Sequence, residues 1–422
     1  MTSGPLPDGR IPVLVAAAGA AWEAEALEQL DRATAVLLAK RCVDLTDLLA
    51  SAGTGLVGVA VVSPALPGLD ADSVAALRSA GLGVVLVAAP AELADGDAER
   101  MRRLGIEHLL TTTEIGVLAE TIATAAEDAP TAPLEAPDRH GAGTGRLLAV
   151  WGPAGAPGRT TVAVGLATEL AVAGRDVLLV DADPYGGAVA QHLGVLDEVS
   201  GLLAAARAAN AGRLDADRLA ATARQVGAQL RVLTGLPRPD RWQEVRPAAF
   251  DDLLDQAAQL ASYVVVDVGF DLERDPADPF VGTAPHRNLM THAALERADE
   301  VVVVGAADPV GLTRLARGLV ELRDLVPAVH PRVVVNRTRP TLGWSDKEIR
   351  GMVEGFVTPR SVHFLPDDRP AADRALMAGQ SLAESGDSAL REAMTGLALE
   401  VLGQRPTDGR RRLRRRRAGR AR

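Results

Sequence analysis

The segment Leu147–Ala163, LLAVWGPAGAPGRTTVA, passes from an apolar run through small residues into a helical pattern. A strand, a Gly-rich turn and a helix N-terminus together make an anion cradle. The free N–H groups of the first helical turn converge there and the helix dipole favours negative charge. Gly155 and Gly158 would let the backbone approach a phosphate closely. Thr160 stands where the hydroxyl of G-x-x-x-x-G-K-[ST] ligates Mg²⁺, and Arg159 stands at that motif's lysine position. Counting back from Gly158, the motif's first glycine is replaced by Pro153. On the loop alone, a strand–turn–helix without a ligand is a rival reading.

The polar residues downstream weigh against that rival. VLLVDADPYGG (177–187) is a strand pattern ending in Asp181 and Asp183, and YVVVDVGF (263–270) is another ending in Asp267. A carboxylate at the end of a buried strand beside a phosphate loop can hold hydrated Mg²⁺. One aspartate after one strand is usually a turn or cap residue, but three in this order after such a loop form a pattern. VVVNRTRP (333–340) ends a strand in Asn336, whose amide could pair with an adenine edge. FLPDD (364–368) adds a further strand-end turn.

These residues need a parallel α/β frame. LLAVWG, DVLLVD, LRVLTG, YVVVDVG, EVVVVGA and RVVVNR are nearly continuous Val/Leu runs, as expected of strands buried on both faces. Before them, IPVLVAAA, ATAVLLA, LVGVAVVS, GVVLVAA and IEHLLTT alternate with helix-like stretches around Glu23–Leu30, Asp72–Ser79, Asp97–Leu104 and Glu114–Ala126. That alternation predicts a doubly wound parallel sheet. Residues 127–145 are rich in Pro, Gly and small polar residues and read as a linker. The expected organisation is a domain over 1–126, the linker, a P-loop-type domain over 146–402 and a disordered tail over 403–422.

The chain has 422 residues, is 47% hydrophobic and only 3% aromatic, and carries a net charge of −10. Its only cysteine, Cys42, excludes an internal disulfide or a one-chain Cys-based metal cluster, and reads as a small buried hydrophobe. No signal peptide is evident and no apolar run reaches the ~20 residues that span a bilayer, so a cytoplasmic protein is expected. Residues 405–422 hold ten arginines and one aspartate, which leaves the rest of the chain strongly acidic. An acidic body argues against nucleic-acid binding through the folded surface.

The series GPAGAPGRTT, LLVDADP, VVVDVG, VVVNR and FLPDDRPAADRALMAGQSL resembles the MinD/ParA ATPases in order and spacing, over about Arg146–Leu382. The resemblance implies ATP and Mg²⁺ as ligands and a nucleotide-dependent homodimer. Under it Thr160 and Thr161 match the loop threonines, and Asp183 the first-switch aspartate that orients attacking water. Asp267 matches the Walker B acid, Gly269 a second-switch residue near the terminal phosphate, and Asn336 and Pro366 the base pocket. Arg159 replaces the ordinary P-loop lysine. Ala154 replaces the family's signature lysine, which reaches the partner's phosphates across the dimer. Arg159 keeps a charge, but a planar fork is no equivalent of a compact ammonium. Phosphoryl transfer depends on positioning and charge neutralisation, so hydrolysis should suffer more than binding.

VVSPALPGLD (61–70) resembles the third-strand end of response-regulator receivers, with Ser63 at the phospho-acceptor position. AAAG (Ala16–Gly19) lacks the receivers' acidic pair, Ala88 stands near their usual Thr/Ser and Thr111 near their usual Lys. This implies a receiver-like fold used for contact. A receiver-like domain fused to a MinD/ParA-like domain resembles the CpaE/TadZ pilus-assembly localisation proteins, a grouping that includes actinobacterial septum-site-determining proteins. It implies a cytoplasmic factor that marks a pole or division site with secretion, pilus or septum partners. RRRLRRRR (410–417) has one apolar residue and cannot bury a face. It could act as an electrostatic contact with anionic membrane, worth on the order of 1 kcal/mol per arginine, or with nucleic-acid phosphates. The competing readings are a non-enzymatic scaffold that has lost its nucleotide and a ParA-like DNA segregation ATPase.

Overall fold

A computed structural model describes residues 9–93, 97–129, 145–196, 199–273 and 286–404. Most of the expected linker and of the arginine tail lies outside them.

In the first domain β1 (Ile11–Ala16), α1 (Glu23–Arg32), β2 (Val36–Arg41), α2 (Leu45–Ala52), β3 (Val59–Val62), α3 (Ala71–Ser79), β4 (Gly83–Ala88), α4 (Asp97–Arg103), β5 (His108–Thr111) and α5 (Leu118–Glu127) follow one another. The strands form a parallel sheet in the order β2-β1-β3-β4-β5, the flavodoxin-like doubly wound order. Successive side chains serve opposite faces: Leu14 joins one core layer with Leu48 and Leu77, and Val13 joins the other with Leu30 and Ile122. All five predicted strands are present. Helix α2 is an addition, started by Asp44, whose carboxylate accepts from the Asp47 N–H at 2.8 Å. The expected helix from Glu114 begins as a tighter 3₁₀ segment, Thr112–Val117, before α5. Cys42 is buried.

The second domain runs β6 (Arg146–Trp151), α6 (Arg159–Val172), β7 (Val177–Ala182), α7 (Val189–His192), α8 (Gly201–Asn210), α9 (Ala216–Thr222), β8 (Arg224–Gly227), β9 (Leu230–Leu233), α10 (Pro247–Leu260), β10 (Tyr263–Val268), α11 (Leu289–Arg297), β11 (Glu300–Ala306), α12 (Pro309–Leu325), β12 (Arg332–Thr338), α13 (Asp346–Glu354), β13 (Ser361–Pro366), α14 (Arg369–Ala378) and α15 (Ala389–Val401). Its sheet has the order β13-β12-β11-β6-β10-β7-β9-β8, parallel except for β8, which pairs antiparallel with β9. β6, with its Leu/Val run, lies between β10 and β11 at the centre. Leu148 and Val150 face a layer containing α6 and α15, while Leu147, Ala149 and Trp151 face the layer of α8, α10 and α12. The loops after β6, β7, β10 and β12 therefore open at one edge of the sheet, the edge at which doubly wound folds bind ligands.

The two domains touch. An Asp72 oxygen on α3 accepts from the Ala248 N–H in the first turn of α10 at 2.8 Å, and Arg246 lies 3.0 Å from Asp70. From α4, Arg100 Nε donates to Ala211 O at 2.7 Å and Arg103 Nη1 to Leu214 O at 3.0 Å. Among the described residues no helix is long and apolar enough to cross a membrane.

Candidate functional site

The loop from Gly152 to Gly158 is tightly seated. A Cβ at Gly152 would lie 2.2 Å from Val304 O of β11, so only glycine lets the chain leave β6 there. Gly155 and Gly158 take φ of +107° and +101°, and Ala156 between them takes +52°. That conformation costs an alanine on the order of 1 kcal/mol. Asn336, two residues before the end of β12, holds this loop: its Nδ2 donates to Pro157 O at 2.8 Å and its Oδ1 accepts from the Arg337 N–H. The amide expected to face a base is thus first a brace for the loop, with one N–H beyond the Pro157 bond.

Behind the loop the predicted acids converge. Thr160 Oγ1 donates to Asp267 Oδ2 at 2.6 Å, while the buried Asp267 Oδ1 has no partner among the described residues. Asp181 pairs with Asp267 across β7 and β10. Burial pushes Asp181 up to about 7. Burial, and then the charge of Asp181, hold the Asp267 carboxyl well above the usual carboxylate range. Asp181 is caged: it accepts from the N–H groups of Val189 and Asp183, and a Cβ at Gly187 or Gly235 would strike its carboxylate. Asp183 accepts from the Tyr185 N–H at 2.9 Å and lies 3.5 Å from Arg159 Nη2. The Arg159 guanidinium also donates to Gly152 O at 3.3 Å and stacks over Phe270, 5.9 Å from the ring centre, and its Nε is a buried donor with no partner among the described residues.

Three carboxylates and one guanidinium thus share a buried cluster. An unpartnered carboxylate oxygen beside a threonine hydroxyl is a hard-oxygen donor set suited to Mg²⁺, and a cation there would relieve the penalty on the Asp181–Asp267 pair. The residues present fit the ion.

The remaining predicted residues fall nearby. Gly158, Thr161, Asn336 and Pro366 line one open cavity of about 430 Å³, together with Arg337 and Arg369. A Cβ at Gly269 would lie 3.0 Å from Pro184 Cδ and 3.4 Å from Asp183 Oδ1, so the loops after β7 and β10 touch at that residue. Sequence reasoning missed what joins those loops. Tyr185 stacks on Phe270 at 4.7 Å, its hydroxyl lies 2.9 Å from both Asp271 and Asn288, and Arg287 covers its ring. The aromatic residue that follows each acid, in DADPY and DVGF, was the available signal.

In the first domain Ser63, Ala88 and Thr111 stand at or just beyond the ends of β3, β4 and β5. Ser63 is buried and its Oγ accepts from the Ala65 N–H at 3.2 Å. Thr111 Oγ1 lies 2.7 Å from Glu114.

Residues 148–248 match the CobQ/CobB/MinD/ParA nucleotide binding domain family. That stretch runs from β6 into α10 and contains the loop, Asp181 and Asp183. The second domain has the fold of a ParA family ATPase from Chlorobium tepidum TLS, with 20% identity and a TM-score of 0.50 over 60% of this chain and 98% of that one. The cell division ATPase MinD of Pyrococcus furiosus matches with 19% identity and a TM-score of 0.49, over 61% and 99% of the two chains. The septum site-determining protein MinD of Pyrococcus horikoshii OT3, solved with Mg-ADP, matches with 18% identity and a TM-score of 0.47, over 61% and 95%. No curated protein matches the sequence. The second domain therefore has the fold of the ParA family ATPase, with a match to the nucleotide binding domain family over residues 148–248, and follows a five-stranded α/β domain.

Proposed function

We propose that residues 146–402 bind ATP with Mg²⁺ and act as a nucleotide-regulated localisation switch with weak hydrolysis or none. The observation that carries this reading is the Thr160–Asp267 pair, with its unpartnered carboxylate oxygen, directly behind a loop held open by two left-handed glycines. Gly155, Gly158, Thr160 and Thr161 would cradle the phosphates. Thr160 and Asp267 would hold Mg²⁺, which when bound neutralises phosphate charge. Asn336 and Pro366 would flank the base and Gly269 the terminal phosphate. Asp183 would orient water, but its contact with Arg159 at 3.5 Å supports slow turnover. The nucleotide-bound form would be a homodimer.

By its two-domain arrangement the chain is read as a CpaE/TadZ-like or septum-site-determining factor. Residues 1–126 would be a receiver-like contact domain, 127–145 a linker, and 403–422 a basic tail for anionic membrane. Its partners would be septum proteins or those of a Flp/Tad-type pilus apparatus, at the inner face of the membrane. Calorimetry on the whole protein should give ATP binding with Kd on the order of micromolar, weakened by Arg159→Ala or Asp267→Ala. No heat from folded protein would sink the reading.

A scaffold without nucleotide is the second reading, favoured by one observation: Arg159 and Asn336 already have partners within the chain. Under it, Asp183→Ala and Thr160→Ala leave localisation in cells unchanged.

A further inference from the structure

We propose that Arg314, on α12, is a phosphate-binding residue of the loop, supplying the charge that Ala154 lacks and that Arg159 directs to Asp183. The inference rests on the nucleotide reading above and deepens it.

The side chain lies directly on the loop. A Cβ built at Gly155 would fall 2.0 Å from Arg314 Nη1 and 3.1 Å from its Cζ, so the guanidinium is packed against that glycine's Cα. Gly155, at φ +107°, leaves room for the fork that any other residue would fill. The helix is seated for this approach. One turn further on, at the spacing that puts residues on the same helix face, Gly318 lies so close to β6 and the loop that a Cβ there would meet Trp151 Cη2 at 2.8 Å and Pro153 Cβ at 3.3 Å. The residue that brings α12 down and the residue that reaches over the loop thus share one face.

The charge balance points the same way. Arg159 is turned inward, towards Asp183, Gly152 O and the face of Phe270. Asp308, the acid that caps the Arg314 helix, spends its Oδ1 on the N–H groups of Val310 and Gly311. Arg314 itself is exposed and forms no ion pair with any described residue. A planar fork lying against a phosphate-type loop, open to solvent and without a carboxylate, is suited to a multiply charged phosphate in bidentate contact. The ligand class is the polyphosphate of a nucleoside di- or triphosphate.

The test is calorimetry of Mg–ATP and of inorganic tripolyphosphate with the intact protein and three variants. Arg314→Ala should weaken ATP at least about tenfold and abolish tripolyphosphate binding, with an unchanged melting temperature. Arg314→Lys should recover part of the loss, since it keeps charge but not the fork. Arg323→Ala, about 13 Å further along the helix, should bind like the parent. Equal affinities in the parent and Arg314→Ala would overturn the inference and leave the nucleotide reading standing. An equal loss in Arg323→Ala would also overturn it, because a general charge effect would then suffice. If the folded parent binds no ATP, the nucleotide reading fails and the inference with it.

Discussion

At the scale of single residues, Asp267 is where opposing demands meet. Thr160 donates to one of its oxygens, the other has no partner among the described residues, and burial beside Asp181 penalises its charge. An amide in its place keeps the shape and the accepted hydrogen bond but removes the ionisable group whose charge burial penalises. Asp267→Asn should therefore raise the melting temperature by a few degrees in magnesium-free buffer and, under the proposed nucleotide binding, should abolish the further rise expected of the parent with Mg–ATP. A thermal scan with and without Mg–ATP reads both; a variant that melts earlier without magnesium, or that keeps the ligand-induced rise, contradicts the account. Asp181, Asp183 and Asp267 were legible in the sequence because an acid closing a run of valines and leucines is conspicuous. Tyr185, Asn288 and Arg314 were not, since each acquires its role from a partner far away in the chain: Phe270 and Asp271, Tyr185, and Gly155. For Asn336 the sequence suggested an amide facing the site, but its bond to Pro157 O exists only once β12 lies beside the loop.

At the scale of elements, close approach through glycine decides where the site's helices sit. Gly318 and Gly396 both lie inside helices, and intrinsic propensity alone would predict that alanine stabilises each by about 0.5–1 kcal/mol. Their surroundings separate them. Nothing lies within 4 Å of a Cβ at Gly396 of α15, whereas a Cβ at Gly318 of α12 would meet the rigid Trp151 ring at 2.8 Å. Gly396→Ala should gain roughly that propensity term. Gly318→Ala should lose about 1–3 kcal/mol through overpacking, because neither the buried indole nor the strand that carries it can yield cheaply. Denaturant melts of the two variants decide it, and a stabilised Gly318→Ala would show that α12 is not pressed onto the loop. The parallel strands were legible for the reason that places them at the centre: strands covered on both faces must be apolar throughout. β8 escaped because an edge strand reading RQVG, with Val226 alone packed on the core, carries no such pattern. α2 escaped because it is only eight residues long, although Asp44 before it and Gly53 after it stand at its caps.

At the scale of the whole molecule, the contact between the domains contains a proton-sensitive group. Asp72 of α3 is buried against α10 with one oxygen on the Ala248 N–H and the other without a partner among the described residues. Asp70 and Arg246 face it, as does Asp251 of α10. Burial, the largest cause, outweighs the Ala248 hydrogen bond and the Arg246 charge and pushes the carboxyl up to about 6. A carboxyl raised in the folded state favours its protonated form. Its stabilising contribution is therefore complete below the unfolded value near 4 and is lost as the pH rises through about 6. A rise from about 4 to about 6 sets an upper bound on the order of 3 kcal/mol between pH 4 and pH 7, which solvent screening and relaxation of the contact will reduce. Asp72→Asn keeps the acceptor for Ala248 and replaces the unpartnered oxygen with an uncharged amide. The parent should therefore lose more stability than Asp72→Asn when moved from pH 5 to pH 7.5. At about 2–4 °C per kcal/mol for chains of about 150–250 residues, the difference should be several degrees in the melting of the intact chain. Acids common to both proteins, Asp181 among them, cancel in that comparison. Parallel curves for the two proteins would mean that Asp72 stays solvated and that the α3–α10 contact does not hold in solution; a steeper fall in the variant would mean that its charge, not its burial, joins the domains.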